Sequence, residues 1–330
     1  MVDSILTRRD FVQGSLVGAA ALGLGFDPRA AIAADVTGKP APGKIGDFKI
    51  SLAEWSINKA LFNRGGESEK EFGRVITNLD FPKIAREDFG IDGVEFVNQF
   101  FQDKAHDSAY LKDLKKRAED NGVTCVLIMI DGEGDLSTEK TEERNKAVEN
   151  HKKWIDAAAA LGCHSIRVNT GSNYSPTNTK TAAEGCSALA EYGAQHKINV
   201  ICENHGGPSS DPDCLLALIK AVGKDNFGTL PDFGNFPKNR QGRYTIDIYD
   251  AIARMMPTAK GVSAKSYNFD EKGNEIDLDF ARILKIVTDA GYKGYVGIEY
   301  EGSRFPEPQG IKATKKLLES LRGSTYTPAG

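Results

Sequence analysis

The chain lacks the signatures of several common functional classes. Its five cysteines, Cys125, Cys163, Cys186, Cys202 and Cys214, form no CxxC pair and match no zinc-ligand spacing. That excludes a zinc ribbon and a dithiol redox centre, and leaves one disulfide open. Cys125 and Cys202 lie inside strand-like runs and read as small core residues. No Gly-rich dinucleotide loop follows an early strand-like run. Basic charge is not in excess: 42 Lys and Arg against 46 Asp and Glu give a net charge of −4. The footprint of a nucleic-acid binder is therefore missing, and no nucleic-acid partner is expected. No apolar run reaches the roughly 20 residues of a membrane span.

What is present begins with an N-terminal address. Thr7-Arg8-Arg9-Asp10-Phe11-Val12 is a twin-arginine pattern. A Gly/Ala-rich apolar stretch runs from Gly14 to about Phe26, and Ala31-Ile32-Ala33 offers a small-residue cleavage site. Residues 1–33 are expected to be a signal peptide that exports the folded protein to the periplasm or another extracytoplasmic space. No stable membrane insertion is expected after its removal. Residues 34–47, with Gly38, Pro40, Pro42 and Gly43, read as a linker.

From Phe48 to the end, strand and helix signals alternate. Apolar, β-branched runs predict strands near Phe48–Ala53, Gly93–Val97, Thr124–Ile130, Ser165–Val168, Val200–Glu203, Gly228–Asp232, Gly261–Ala264 and Tyr295–Glu299. Between them apolar residues return every three or four positions, as in Val148, His151, Ile155, Ala158 and Leu161, or Phe280, Ile283, Leu284 and Val287. Asp211-Pro212-Asp213 is a helix-start signal. Glu203, Asp232, Ser263 and Glu299 recur at roughly the length of one βα unit. The fold class is therefore α/β, a (β/α)8 TIM barrel forming a single domain over residues 48–330.

Three of these runs close on a carboxylate: Glu203, Asp232 and Glu299. A charge at the end of a core strand is costly unless something compensates it. For several converging carboxylates that is usually a divalent cation. An oxygen-rich donor set favours Mn²⁺ first, then Mg²⁺, over structural zinc, with Co²⁺ able to substitute. In a barrel the functional mouth lies at the C-terminal strand ends. Glu95, Arg167, Asn169 and Lys265 fall there too. His205 lies two residues after Glu203, so both can face one side of an extended strand. A metal ligand, a substrate contact and a backbone-bonded loop histidine all remain open for it.

Further segments carry a resemblance: Gly90-Ile-Asp-Gly-Val-Glu95, Ala160-Leu-Gly-Cys-His-Ser-Ile-Arg167, Cys202-Glu-Asn-His-Gly206, Leu230-Pro-Asp-Phe-Gly-Asn235 and Gly297-Ile-Glu299. In this order and spacing, the chain from about Lys49 to Leu321 resembles the xylose isomerase-like barrel family of sugar isomerases and epimerases. The resemblance implies one metal held by a Glu, an Asp, a His and a second Glu from the fifth to eighth strands. Glu203, Asp232 and Glu299 match three of these. Val262-Ser-Ala-Lys-Ser266 departs from the fourth, because Ser263 stands where the His would be. Either the metal takes water or His205 instead, or the site has drifted.

The resemblance further implies proton abstraction beside a carbonyl through an enediolate. Glu203 and Glu299 would be the acid/base pair, with Lys265 stabilising negative charge on sugar oxygens. Glu95 would hold a substrate hydroxyl or position a neighbour, Arg167 would bind a substrate hydroxyl or orient a carboxylate, His205 would contact substrate, and Trp55 or Phe96 would stack on a sugar face. The expected substrate is a small carbohydrate, unphosphorylated if the protein is exported. Isomerisation or epimerisation is the first expectation. The alternative is a lyase or hydratase acting on 3-keto-glycosides by β-elimination. Barrels of this family often pair or tetramerise, so a homo-oligomer is also in view.

Overall fold

The structure is a computed structural model that describes residues 40–328. The twin-arginine reading of residues 1–33 and the first part of the linker lie outside the described residues.

Eight parallel strands form one sheet: β1 Lys49–Ala53, β2 Gly93–Val97, β3 Thr124–Ile130, β4 Ser165–Val168, β5 Asn199–Glu203, β6 Phe227–Leu230, β7 Val262–Ser266 and β8 Tyr295–Tyr300. Their order is β6-β5-β4-β3-β2-β1-β8-β7. Parallel bridges Thr229↔Ala259 and Asp232↔Ser263 join the two outer strands and close the cylinder. A helix follows each strand: α1 Phe81–Glu87, α2 Ser108–Asp120, α3 Thr141–Leu161, α4 Lys180–Gln195, α5 Pro212–Val222, α6 Ile248–Met255, α7 Phe280–Asp289 and α8 Glu307–Leu321. Short helices Asn58–Phe62 and Glu67–Phe72 sit in the connection before α1.

Local chemistry sets these boundaries. The Asp211 side chain accepts from Asp213 N ahead of Pro212, and Gly223 ends α5 at φ 58°. Asp279 caps α7 by accepting from Arg282 N. β6 stops one residue before Pro231, although the run reads as a strand to Asp232. Proline has no N–H to give the ladder. The chain rejoins the sheet at once, because Ser263 N donates to Pro231 O at 3.0 Å and Phe233 N to Ser263 O at 3.1 Å.

The strands bury both faces, as a closed parallel sheet requires. Outward residues such as Val94, Phe96, Ile166, Val200, Cys202, Val262, Ile298 and Tyr300 pack in the main core with the helices. A separate interior cluster holds Ala53, Val97, Leu127, Met129, Ile201 and Leu230. Alternation along the strands then turns Ser51, Glu95, Arg167, Glu203, Ser263, Lys265 and Glu299 inward. Polar groups thus enter the cylinder while the helix-facing layer stays apolar.

Two expectations change. Within the linker segment, Gly43–Lys44 pairs antiparallel with Thr325–Tyr326, and Ile45 is 1% exposed. Residues 43–47 are thus docked at the N-terminal end of β1 rather than free. The disulfide left open does not form: all five cysteines are free and buried. No helix among the described residues is long and apolar enough to cross a membrane.

Candidate metal and catalytic site

Glu203 at the end of β5, Asp232 just past β6 and Glu299 in β8 converge. Each offers a carboxylate oxygen, and these oxygens lie within 4.8 Å of one another. All three side chains are buried. The geometry around Asp232 is fully determined. Its Oδ1 accepts from Gly234 N (2.8 Å) and Asn235 N (2.7 Å), while its own N–H donates to Asn204 Oδ1 (2.7 Å). Glu203 Oε1 accepts from Asn235 Nδ2 at 2.8 Å. Its Oε2 lies 3.0 Å from Arg167 Nε, but off the N–H line, so the contact is an ion pair without a directed hydrogen bond. Glu299 Oε1 accepts from Lys265 Nζ at 2.7 Å. Ser263 Oγ lies 2.7 Å from Asp232 Oδ2 and 3.0 Å from Glu299 Oε2, bridging the two.

These residues fit a hard divalent cation. The donors are carboxylate oxygens, they are buried, and Glu203 Oε2 has no directed partner. His205 does not join them. Its Nδ1 bonds Asn169 Oδ1 at 2.9 Å, and the group that converges among the described residues is Glu203, Asp232 and Glu299.

Electrostatics divides the three carboxylates. Burial pushes Glu203 up to about 7, against the pull of Arg167. Burial likewise pushes Asp232 up to about 7, against Lys265. Burial also acts on Glu299, but the Lys265 ammonium, together with Arg167 and the Ser263 hydroxyl, outweighs it and holds this carboxyl below its usual value. Lys265 itself stays protonated: burial opposes the charge, and Glu299, Asp232 and Glu301 more than restore it.

A hydrogen-bonded chain leads outward. Arg167 Nη1 donates to Asp131 Oδ1 (2.8 Å), as does Asn169 Nδ2 (2.7 Å). Asn169 is thereby oriented with its Oδ1 toward His205. An amide oxygen accepts only, so His205 carries its proton on Nδ1 and presents a bare Nε2. Burial of the ring, then the Arg167 charge, depress the His205 pKa.

Other expected residues move relative to the mouth. Glu95 lies one layer deeper, 2% exposed, and accepts from Ser51 Oγ at 2.5 Å. Gly297 makes room for it, because a Cβ there would lie 2.4 Å from Glu95 Oε1. Burial, then repulsion from Glu299 and Glu203 against the Ser51 bond, raise Glu95 to about 8. Lys265 turns toward Glu299 and Glu301 (3.3 Å) rather than standing free for substrate oxygens. Trp55 follows β1, donates from Nε1 to Glu301 Oε1, and packs with Phe62 and Phe100, both at 6.2 Å between ring centroids. Phe96 points away from the cylinder and packs against Phe81 and Phe101, so it offers no sugar platform. Sequence reasoning missed Asp131, Asn235 and Glu301. Asp131 and Glu301 directly follow β3 and β8, so the strand-end signal that marked Glu203 was there for them too.

Among curated proteins, the chain is 42% identical over 71 residues to the C-glycoside deglycosidase alpha subunit of Arthrobacter globiformis. That match covers 21% of this chain and 20% of that subunit. Among solved structures, the 3-keto-D-glucoside 4-epimerase of E. coli superposes with a TM-score of 0.61 at 16% identity, over 83% of this chain and 100% of that one. A probable 3-DHS dehydratase of Bacillus anthracis gives 0.61 at 17% identity, over 82% and 99%. At these identities the likeness is one of fold. A family model matches residues 84–322, and with the closed eight-stranded sheet and its converging carboxylates it shows that the chain belongs to the xylose isomerase-like TIM barrel family.

Proposed function

We propose that this chain is an enzyme that abstracts a proton beside the ketone of a sugar and returns one, as a metal-dependent isomerase or epimerase. The observation that carries this reading is the convergence of Glu203, Asp232 and Glu299 within 4.8 Å inside the mouth. These three would hold the ion, Mn²⁺ in the first place, with Mg²⁺ or Co²⁺ as substitutes. When bound, such a cation withdraws electron density from the carbonyl and lowers the cost of the enediolate.

The chain's own residues supply the rest. Glu299, kept anionic by Lys265, is suited to take a proton. Glu203, paired with Arg167 on the other arm of the site, is suited to give one back. Arg167 positions Glu203 through their ion pair and is itself fixed by Asp131. Trp55, with Phe62 and Phe100, forms an aromatic wall against which a sugar face can lie. His205 Nε2 faces outward as an acceptor for a substrate hydroxyl.

A second reading is β-elimination from a 3-keto-glycoside, which shares the first proton abstraction but expels a group from the next carbon. The local match to a deglycosidase subunit favours it. Action outside the cytoplasm is part of the proposal and rests on the Arg8-Arg9 pattern.

The test combines metal analysis of the purified protein with solvent-deuterium incorporation into candidate ketoses and 3-keto-glycosides. Glu203→Gln and Glu299→Gln should each slow exchange by about 10²–10⁴-fold while leaving the fold intact. Full exchange in both variants would remove the acid/base assignment. Product analysis separates epimer from eliminated aglycone.

A further inference from the structure

Beside His205 a groove of about 650 Å³ opens between three loops at the mouth. Gly132, Gly134 and Asp135 come from the β3–α3 loop, Asn169 to Ser172 from the β4–α4 loop, and His205 to Gly207 from the β5–α5 loop. The volume is that of a small-molecule pocket. The groove continues from the catalytic mouth, because His205 lines it and also joins, through Asn169 and Asp131, the network that reaches Glu203.

Its chemistry is distinctive. No Lys or Arg lines it, and Asp135 is its one carboxylate. A phosphate or carboxylate group would find no counter-charge there. Asp135 is held in place by half of its carboxylate: Oδ1 accepts from both Ser137 N and Ser137 Oγ at 2.7 Å. Ser137 Oγ in turn accepts from Asn173 N at 2.8 Å, locking the two loops together. Gly171 is required at this joint. Its φ is +89°, and a Cβ would lie 1.8 Å from Asp135 Oδ1. Asp135 Oδ2 makes no hydrogen bond to the described residues, although its partner oxygen is immobilised. A fixed carboxylate oxygen, the exposed Ser172 hydroxyl and bare glycine backbone are what a neutral, hydroxyl-rich group needs.

We propose that this groove is a subsite for a second, neutral polyhydroxylated unit, the sugar attached to the keto-sugar that lies over the carboxylates. The enzyme then acts on a disaccharide-like glycoside rather than on a free monosaccharide. This rests on the function proposed above. A neighbouring groove, lined by Phe236, Pro237, Lys238 and Tyr267, is the competing place for an aglycone and suits an apolar or aromatic one.

The experiment reads binding apart from chemistry. Cellobiose, methyl glucoside and phenyl glucoside lack the ketone, so their affinities for the full chain can be compared by calorimetry or saturation-transfer NMR without turnover. Cellobiose should bind about tenfold more tightly than methyl glucoside, the gain of a charge-assisted hydrogen bond with its neighbours. Asp135→Asn keeps the Ser137 bonds on Oδ1, and Ser172→Trp fills the groove from an exposed position. Each should remove most of the advantage and leave methyl glucoside binding unchanged. Equal affinity for cellobiose and methyl glucoside, an advantage that survives both variants, or a preference for phenyl glucoside overturns the subsite. Absence of deuterium exchange into every keto-sugar, with the cellobiose advantage intact, removes the proposed chemistry and leaves the subsite standing.

Discussion

Replacing Lys265 by Met tests the electrostatic logic of the site most directly. The ammonium lies 2.7 Å from Glu299 Oε1, and the two side chains are 2% and 6% exposed, so solvent screens little of the pair. Methionine keeps the length of the stem and removes the charge. Breaking a buried pair by removing one partner costs about 3–5 kcal/mol, because the remaining charge is stranded. Glu299 can escape that cost by taking a proton, as its neighbours Glu203 and Asp232 do near pH 7. In the variant its pKa moves from below to above the usual carboxylate value. A group with a raised native pKa stabilises the fold at low pH and loses that contribution as pH rises through the native value. The metal-free variant should therefore be destabilised by the full amount at pH 8. At pH 5.5, with Glu299 neutral, the cost should fall to about 1–2 kcal/mol of lost hydrogen bonding. Urea unfolding of wild type and Lys265→Met at the two pH values measures both numbers. The same cost at both, or a cost under about 1 kcal/mol at pH 8, would refute the claim that Lys265 is what keeps Glu299 charged.

Two further outcomes follow from the same buried groups. In the metal-free wild type, burial raises Glu54 and Glu95 to about 8 and Glu203 and Asp232 to about 7. The native state thus holds protons that the unfolded chain releases, so the unfolding free energy, and with it the urea midpoint, should fall as pH rises from about 5 to about 8. Saturating Mn²⁺ should flatten that slope, and a midpoint that rises over this window would contradict the burial argument. Gly297→Ala would place a Cβ 2.4 Å from Glu95 Oε1 and should lower stability by about 1–3 kcal/mol in thermal unfolding. An unchanged midpoint would mean that Glu95 does not lie against β8.

What could be read from the chain beforehand follows from what is local. Glu203 and Glu299 stood out because an apolar run with one terminal charge is a local pattern, and α5 because Asp211 and Pro212 mark its start within two residues. The face on which Glu95 lies was legible from alternation, but its depth was not. Depth depends on register between strands, and the β2–β3 pairing shifts between Val94 and Glu95. The Lys265–Glu299 pair needs β8 to lie between β1 and β7, a closure that no single segment encodes. Residues 43–47 read as linker because Gly43 and Gly46 interrupt them and Pro40 and Pro42 stand just before. Their docking depends on Tyr326 and its neighbour at the far end of the chain. Asp131 and Glu301 are the first residues beyond β3 and β8, where a carboxylate reads equally well as the solvated start of a loop.

Ser263 gives the departure from the family pattern a physical meaning. A serine hydroxyl has one proton, yet Ser263 Oγ lies within hydrogen-bond distance of both Asp232 Oδ2 and Glu299 Oε2. Only one of those contacts can use the hydroxyl proton, so the other is best met by a proton on the carboxyl itself. Lys265, two residues along the same strand and on the same face, decides which. It secures Glu299 as the anion, and the extra proton falls to Asp232, in keeping with the raised pKa there. A histidine at 263 would offer a neutral nitrogen ligand and no such asymmetry. With serine, the three carboxylates are unequal before any ion arrives: Glu299 charged, Asp232 and Glu203 able to hold protons near neutrality. An entering divalent cation must then displace protons from Asp232 and Glu203 and compete with an ammonium for Glu299. With no imidazole at this position, ion loading would fall to three unequal carboxylates and should depend on pH, with Glu299 and Glu203 already distinguished by their surroundings.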